Sequence, residues 1–163
     1  MIVLGLMSGT SLDGLDLALV KLSNSGSKFE LIKAETLSYS KDWESILRNG
    51  RFLSGNDLIA LNVKYGQFLG HQINRFLKNK PKPDLIASHG HTIFHQPNLG
   101  YTLQIGDINQ IAVKTGITTV GDFRSLDVSK GGQGAPLVPV GDELLFSEYD
   151  SCLNLGGFSN ISY

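Results

Sequence analysis

The chain has a single cysteine, Cys152, so it can form no internal disulfide, which fits a reducing cytoplasm. It has no excess of either charge. Fourteen Lys and Arg stand against 15 Asp and Glu, and the basic residues are scattered, so no nucleic-acid partner is expected. It has no apolar run of membrane length, and the opening run Ile2–Met7 is too short for a signal-peptide core and lacks a basic segment before it. These absences predict a cytoplasmic protein with no membrane partner. Repeats, low-complexity tracts and linkers are absent as well. What remains is ordinary for a globular protein: 41% hydrophobic and 18% charged residues, and a length of one to two domains that can bury a real core.

The patterning predicts strands first, then helices and strands in alternation. Ile2–Leu6 and Leu15–Leu22 read as the arms of a β-hairpin, and Lys28–Ser38 as a third antiparallel strand whose apolar alternation changes phase after Leu31. Trp43, Ile46, Leu47 and Phe52 suggest a short helix from about Asp42. Leu58, Leu61, Tyr65, Phe68, Leu69, Ile73, Phe76 and Leu77 form the stripe of a long helix, capped by Asn56 or Asp57 and ended by the Lys78–Pro83 run. Leu85–Ser88 reads as a short buried strand with His89–Thr92 as a loop after it. Ile93–His95 and Tyr101–Ile105 read as a small hairpin, Asp107 as the cap of a helix ending at Gly116, and Ile117–Val120 as another buried strand. Ser125–Pro139 is glycine-rich and reads as a loop or lid. Val140–Glu148 reads as a helix, and two last strands bracket a Gly156-Gly157 turn. The order argues for an α/β fold with a mixed central sheet flanked by helices.

Several segments carry chemistry. The hairpin turn from Gly9 to Gly14 holds two glycines, hydroxyls and an aspartate, a composition able to aim N–H and O–H groups at a phosphate; an ordinary tight turn is the rival reading. His89, His91, Asp107, Asp122 and Arg124 all fall near predicted carboxyl ends of strands, where open α/β sheets bind ligands. His89, His91 and His95 lack the spacing and companions of a metal site, and polar-contact or structural roles suit them better. No metal ligand is assigned. In Asp122-Phe123-Arg124-Ser125-Leu126-Asp127, carboxylates surround a guanidinium, which fits either a sugar-acid site or a local salt bridge that pins the loop. Gly131–Gly134 allows close approach to a ligand but also suits a plain surface loop. Cys152 reads as an inert core thiol. No strand-turn-helix nucleophile elbow surrounds any serine, so a Ser-His-Asp hydrolase has little support.

Taken in order, Gly5–Asp16, Ser88–Thr92, Leu103–Asp107, Asp122–Arg124, Gly131–Pro139 and Asn154–Ile161 resemble the anhydro-N-acetylmuramic acid kinase family from one end of the chain to the other. The resemblance implies an actin-like ATPase lobe of the ribonuclease H-like type, ATP and Mg²⁺ as cofactors, and phosphorylation of a 1,6-anhydro sugar in peptidoglycan recycling. It implies that Gly9, Thr10, Ser11, Leu12, Asp13, Gly14, Leu15 and Asp16 form the ATP phosphate-binding turn. Residues 121–139 then help to hold the sugar, with Arg124 on its lactyl carboxylate and Asp122, Asp127 and His91 as further contacts. The partners implied are small molecules, and a homodimer stays open.

Two departures shape these expectations. The wider superfamily often opens its first phosphate turn with an aspartate, where this chain has Ser8. Members of the family are about twice this length. Residues 1–148 are therefore expected to form a first lobe and 149–163 the opening strands of a second, with the general-base aspartate beyond Tyr163 and no catalytic residue in the chain. A non-catalytic nucleotide- or sugar-binding domain is the alternative reading.

Overall fold

The computed structural model describes residues 1–23, 28–155 and 159–163. Strand β1 (Ile2–Ser8) buries Leu4 and Leu6, and β2 (Leu15–Leu22) buries Leu15, Leu17 and Leu19, the alternation that puts one face of a sheet against a core. They pair antiparallel from Ile2↔Lys21 to Ser8↔Leu15. Strand β3 (Phe29–Leu37) adds antiparallel to β2, and its change of apolar phase is a register shift at Leu19/Val20. On the other side of β1 lies β4 (Leu85–Gln96), parallel to it. β6 (Thr119–Gly121) pairs in parallel with the first part of β4, and β5 (Tyr101–Ile105) pairs antiparallel with its second part. The sheet order is β3-β2-β1-β4-β5, with β6 also on β4, so the expected mixed sheet is what forms.

Helix α1 (Lys41–Asn49) starts behind Ser40, whose side chain accepts from the Trp43 N–H. Helix α2 (Gly55–Phe76) lays Leu61, Tyr65, Leu69, Ile73 and Phe76 on the sheet. Each such burial stabilises by roughly 1.5–3 kcal/mol. Helix α3 (Ile108–Thr115) is capped by Asp107 and stops at Gly116 in the left-handed conformation, as its sequence predicts. It crosses α2 closely at Gly66, where a Cβ would lie 2.5 Å from the Asp107 carbonyl oxygen. Core residues from β1, β2, β4, β5, α2 and α3 make one cluster. Among the described residues, no helix is long and apolar enough to cross a membrane.

The structure corrects several expectations. The cap of α2 is Ser54, not Asn56 or Asp57; Ser54 and Asp57 satisfy each other, with Ser54 Oγ accepting from the Asp57 N–H and donating to Asp57 Oδ2 at 2.6 Å. Phe52 lies in a 3-10 turn after α1 and is 72% exposed, so it is no part of the core. His89–Thr92 is not a loop but the middle of β4. Gly90, at φ +74°, takes up a bulge that lets the strand run on past β6 to β5. Ser125–Pro139 contains a short helix, α4 (Ser125–Ser129), and α5 (Val138–Leu145) begins and ends earlier than predicted. β7 (Cys152–Leu155) and β8 (Ser159–Ser162) pair antiparallel as a separate two-stranded sheet. Cys152 is half-buried there rather than in the core, and Leu155 is 79% exposed. The predicted Gly156-Gly157 turn lies outside the described residues.

Candidate functional site

Strands β1 and β6 both run parallel to β4, and they end close together along it, Ser8 opposite His91 and Gly121 opposite Ser88. The chain leaves β1 into the turn 9–14 and leaves β6 into the segment 122–134. One edge of the sheet therefore gathers the turn 9–14, the segment 122–134 and the β4 histidines, at the carboxyl ends of parallel strands.

The turn is anchored from beneath and open above. The Leu12 N–H donates to the Gly9 carbonyl at 3.2 Å, and Leu12, at φ 63°, is buried in the core. Gly14 packs so tightly on β3 that a Cβ would sit 2.6 Å from the Leu37 carbonyl oxygen. Thr10, Ser11 and Asp13 are exposed, and their side chains make no hydrogen bond among the described residues. Asp16 is on β2 and accepts from Thr36 Oγ1 at 2.5 Å, and Leu15 is core. Of the eight residues predicted for the turn, Thr10, Ser11 and Asp13 thus offer free polar side chains.

Behind the turn lies a line of buried hydroxyls. Tyr39 donates to Ser8 Oγ at 2.8 Å and shares a 2.6 Å hydrogen bond with Tyr65, while Ser8 Oγ lies 3.0 Å from His91 Nδ1. Burial pushes the Tyr65 hydroxyl well above the usual tyrosine range. It also pulls the His91 pKa down to about 4, helped by His89 and opposed by hydrogen bonding at Ser8, so His91 is neutral.

The segment after β6 is tied to itself and to β4. Arg124 Nε donates to His89 Nε2 at 2.9 Å, and Arg124 Nη1 donates to the Gly134 carbonyl at 2.5 Å. Asp127 Oδ2 accepts from the Gly134 N–H at 2.7 Å, so Gly134 is held at both ends of its backbone. Asp122, at φ 55°, accepts from the Ser125 N–H at 3.3 Å where α4 begins, and the N-cap residue Arg124 makes no side-chain cap of its own. The salt bridge that the sequence allowed around Arg124 does not form. Among the described residues, no carboxylate lies within ion-pair distance of this half-buried guanidinium. Burial lowers the Arg124 pKa, which leaves it charged nonetheless. No cluster of three metal-ligating side chains exists among the described residues.

The structure therefore brings His91, Arg124 and Asp127 close to one sheet edge and sets Asp107 apart as a helix cap whose Oδ1 accepts from the Asn109 N–H at 2.8 Å. Sequence reasoning missed Tyr39 and Tyr65 as polar partners of Ser8. Tyr65 sits on the apolar stripe of α2, and nothing in its spacing marks its hydroxyl. It also missed the pairing of His89 with Arg124, 35 residues apart.

The sequence profile of a family described as anhydro-N-acetylmuramic acid kinase matches residues 1–163. Proteins of that name from Pseudoalteromonas translucida and Shewanella denitrificans are 42% and 44% identical, over 99% and 98% of this chain and 45% and 46% of their own lengths. One from Bacillus thuringiensis subsp. konkukian is 38% identical over 99% of this chain and 47% of its own. The chain spans about half the length of the curated relatives it matches. Among solved structures, Thermus thermophilus RuvC aligns over 90% of this chain and 81% of its own, with 14% identity and a TM-score of 0.39. With a profile match over its whole length and relatives of that name at 38–44% identity, the chain belongs to the anhydro-N-acetylmuramic acid kinase family.

Proposed function

We propose that the chain is the phosphate- and sugar-holding first lobe, with the opening strands of the second, of a cytoplasmic kinase acting on 1,6-anhydro-N-acetylmuramate. In the reaction, water adds at C1 and opens the anhydro bridge. The released C6 oxygen takes the γ-phosphoryl group of ATP, giving N-acetylmuramate 6-phosphate and ADP. Residues 1–148 form the lobe, 149–163 begin its partner, and the general base lies beyond Tyr163, so the 163-residue chain does not turn over.

The observation that carries the reading is Arg124: a half-buried guanidinium without an acidic partner among the described residues, at the strand ends that also carry the hydroxyl-rich turn. A cation held this way suits a carboxylate, and the lactyl group of the sugar supplies one. His91, as a neutral ring, suits a hydroxyl or ether oxygen. Asp122 and Asp127 each commit one carboxylate oxygen to the loop and have the other for sugar hydroxyls. The uncommitted hydroxyls of Thr10 and Ser11 can donate to a phosphate tail. Asp13 is the carboxylate of the turn able to help hold Mg²⁺, which takes few protein ligands when nucleotide phosphates supply the rest. When bound, Mg²⁺ neutralises charge spread over the transferring phosphoryl group.

Calorimetry tests this directly. The chain should bind 1,6-anhydro-N-acetylmuramate, and Arg124→Gln should abolish that binding, with no sugar phosphate formed from ATP in either protein. Undiminished binding by Arg124→Gln, or ATP-dependent turnover by the 163-residue chain, would overturn it.

A further inference from the structure

The guanidinium of Arg124 reaches toward β4, and the group it meets there is His89, 7% exposed and one position before the Gly90 bulge. We infer that His89 is a positioning residue: its neutral ring, protonated on Nδ1, accepts from Arg124 Nε and sets the direction in which Arg124 presents its remaining N–H groups. The inference rests on the reading of Arg124 as a carboxylate contact.

The chemistry of the pair fixes the tautomer. Arginine has five N–H donors and no acceptor, so His89 Nε2 must be the acceptor in the 2.9 Å contact with Arg124 Nε. The ring proton is then on Nδ1, which lies 3.0 Å from the Gly90 carbonyl and donates to it. One backbone carbonyl thus holds the imidazole in the form that can receive the arginine. The bulge at Gly90 is required for this. A side chain there would drive its Cβ into the Ile105 carbonyl oxygen, so the local backbone geometry that offers this carbonyl is specific to glycine.

On the far side, Arg124 Nη1 donates to the Gly134 carbonyl at 2.5 Å, and Gly134 is in turn anchored by Asp127 through its N–H. Of the five N–H groups, His89 and Gly134 engage two, and three remain on Nη1 and Nη2. Those suffice for a two-bond grip on a carboxylate. A carboxylate in place of His89 would neutralise the guanidinium and compete with the ligand. A protonated histidine would repel it. A neutral imidazole orients the cation and leaves its charge available.

Two variants separate this from a bland packing role. His89→Gln keeps an acceptor near the position of Nε2, whereas His89→Leu fills similar space without one. In the 163-residue chain labelled with ¹⁵N, the unsubstituted His89 ring should show a protonated Nδ1 and a bare Nε2. The Arg124 Nε–H should exchange slowly in the unsubstituted chain and in His89→Gln, and fast in His89→Leu. Affinity for 1,6-anhydro-N-acetylmuramate should fall about tenfold in His89→Leu, the loss of one charge-assisted hydrogen bond, and return in His89→Gln. A ring protonated on Nε2, or an Arg124 Nε–H unchanged in His89→Leu, overturns the inference whether or not sugar binds. If those signatures hold but Arg124→Gln leaves sugar affinity untouched, the carboxylate reading of Arg124 fails instead, and His89 still orients the arginine.

Discussion

The two halves of the proposed site are built in opposite ways. In the turn between β1 and β2, the backbone is fixed by a buried Leu12 and a tightly packed Gly14, while the side chains of Thr10, Ser11 and Asp13 hold nothing among the described residues. In the segment from Asp122 to Gly134, the polar side chains hold the loop itself: Asp122 accepts from the Ser125 N–H, Asp127 holds the Gly134 N–H, and Arg124 ties Gly134 to β4. The first half is a fixed frame with two free hydroxyls and a free carboxylate, suited to a nucleotide tail that brings its own charges and metal. The second is ordered before any ligand arrives, which suits a sugar that must be held in one orientation.

The largest effect expected from breaking the contrast is in the frame of the turn. Leu12→Ala should lower stability to urea by about 3 kcal/mol, since it empties a buried site under the hairpin. A loss below about 1 kcal/mol would mean that the turn is not anchored through this residue.

Next comes pH, through the wall that both halves share. The His91 ring is expected to titrate near 4 in the folded chain and near 6.5 when unfolded. Between those values the unfolded chain binds more protons. The stability His91 confers is therefore complete above about pH 6.5 and lost as pH falls toward 4, by on the order of 2 kcal/mol. His89 is shifted in the same direction, chiefly by burial, and adds to the effect. A ring signal of His91 that titrates above 6.5 would contradict this.

Smaller effects sharpen the comparison. Asp127→Ala should lower stability by about 1–2 kcal/mol, because the Gly134 N–H loses its acceptor, and should speed exchange of that amide. Thr10→Ala and Ser11→Ala should change stability by no more than about 0.5 kcal/mol, yet weaken binding of ATP–Mg²⁺. If Thr10→Ala destabilises as much as Asp127→Ala, the two halves are not built differently.

Much of the fold was legible because alternation and the stripe of α2 follow directly from which faces are buried. The continuity of β4 was not, since a glycine between two histidines reads as a loop until β5 and β6 are seen to take different stretches of one strand. Helix α4 was hidden for a similar reason. It is five residues long, its N-cap residue Arg124 makes no side-chain cap, and it follows Asp122 in a left-handed conformation that local propensity does not announce. At the site, neighbouring charges suggested an Arg–Asp salt bridge, but Asp127 is turned to Gly134 and the partner of Arg124 comes from another strand. The hydroxyls of Tyr39 and Tyr65 were invisible because both rings are also good core residues.

The most direct test is a crystal structure of the chain with 1,6-anhydro-N-acetylmuramate bound. The lactyl carboxylate should lie on the Nη1 and Nη2 side of Arg124, with His91 within hydrogen-bond reach of the sugar and His89 still on Arg124 Nε. A sugar seated away from β4 and the 122–134 segment, or one whose carboxylate leaves Arg124 untouched, would contradict the account.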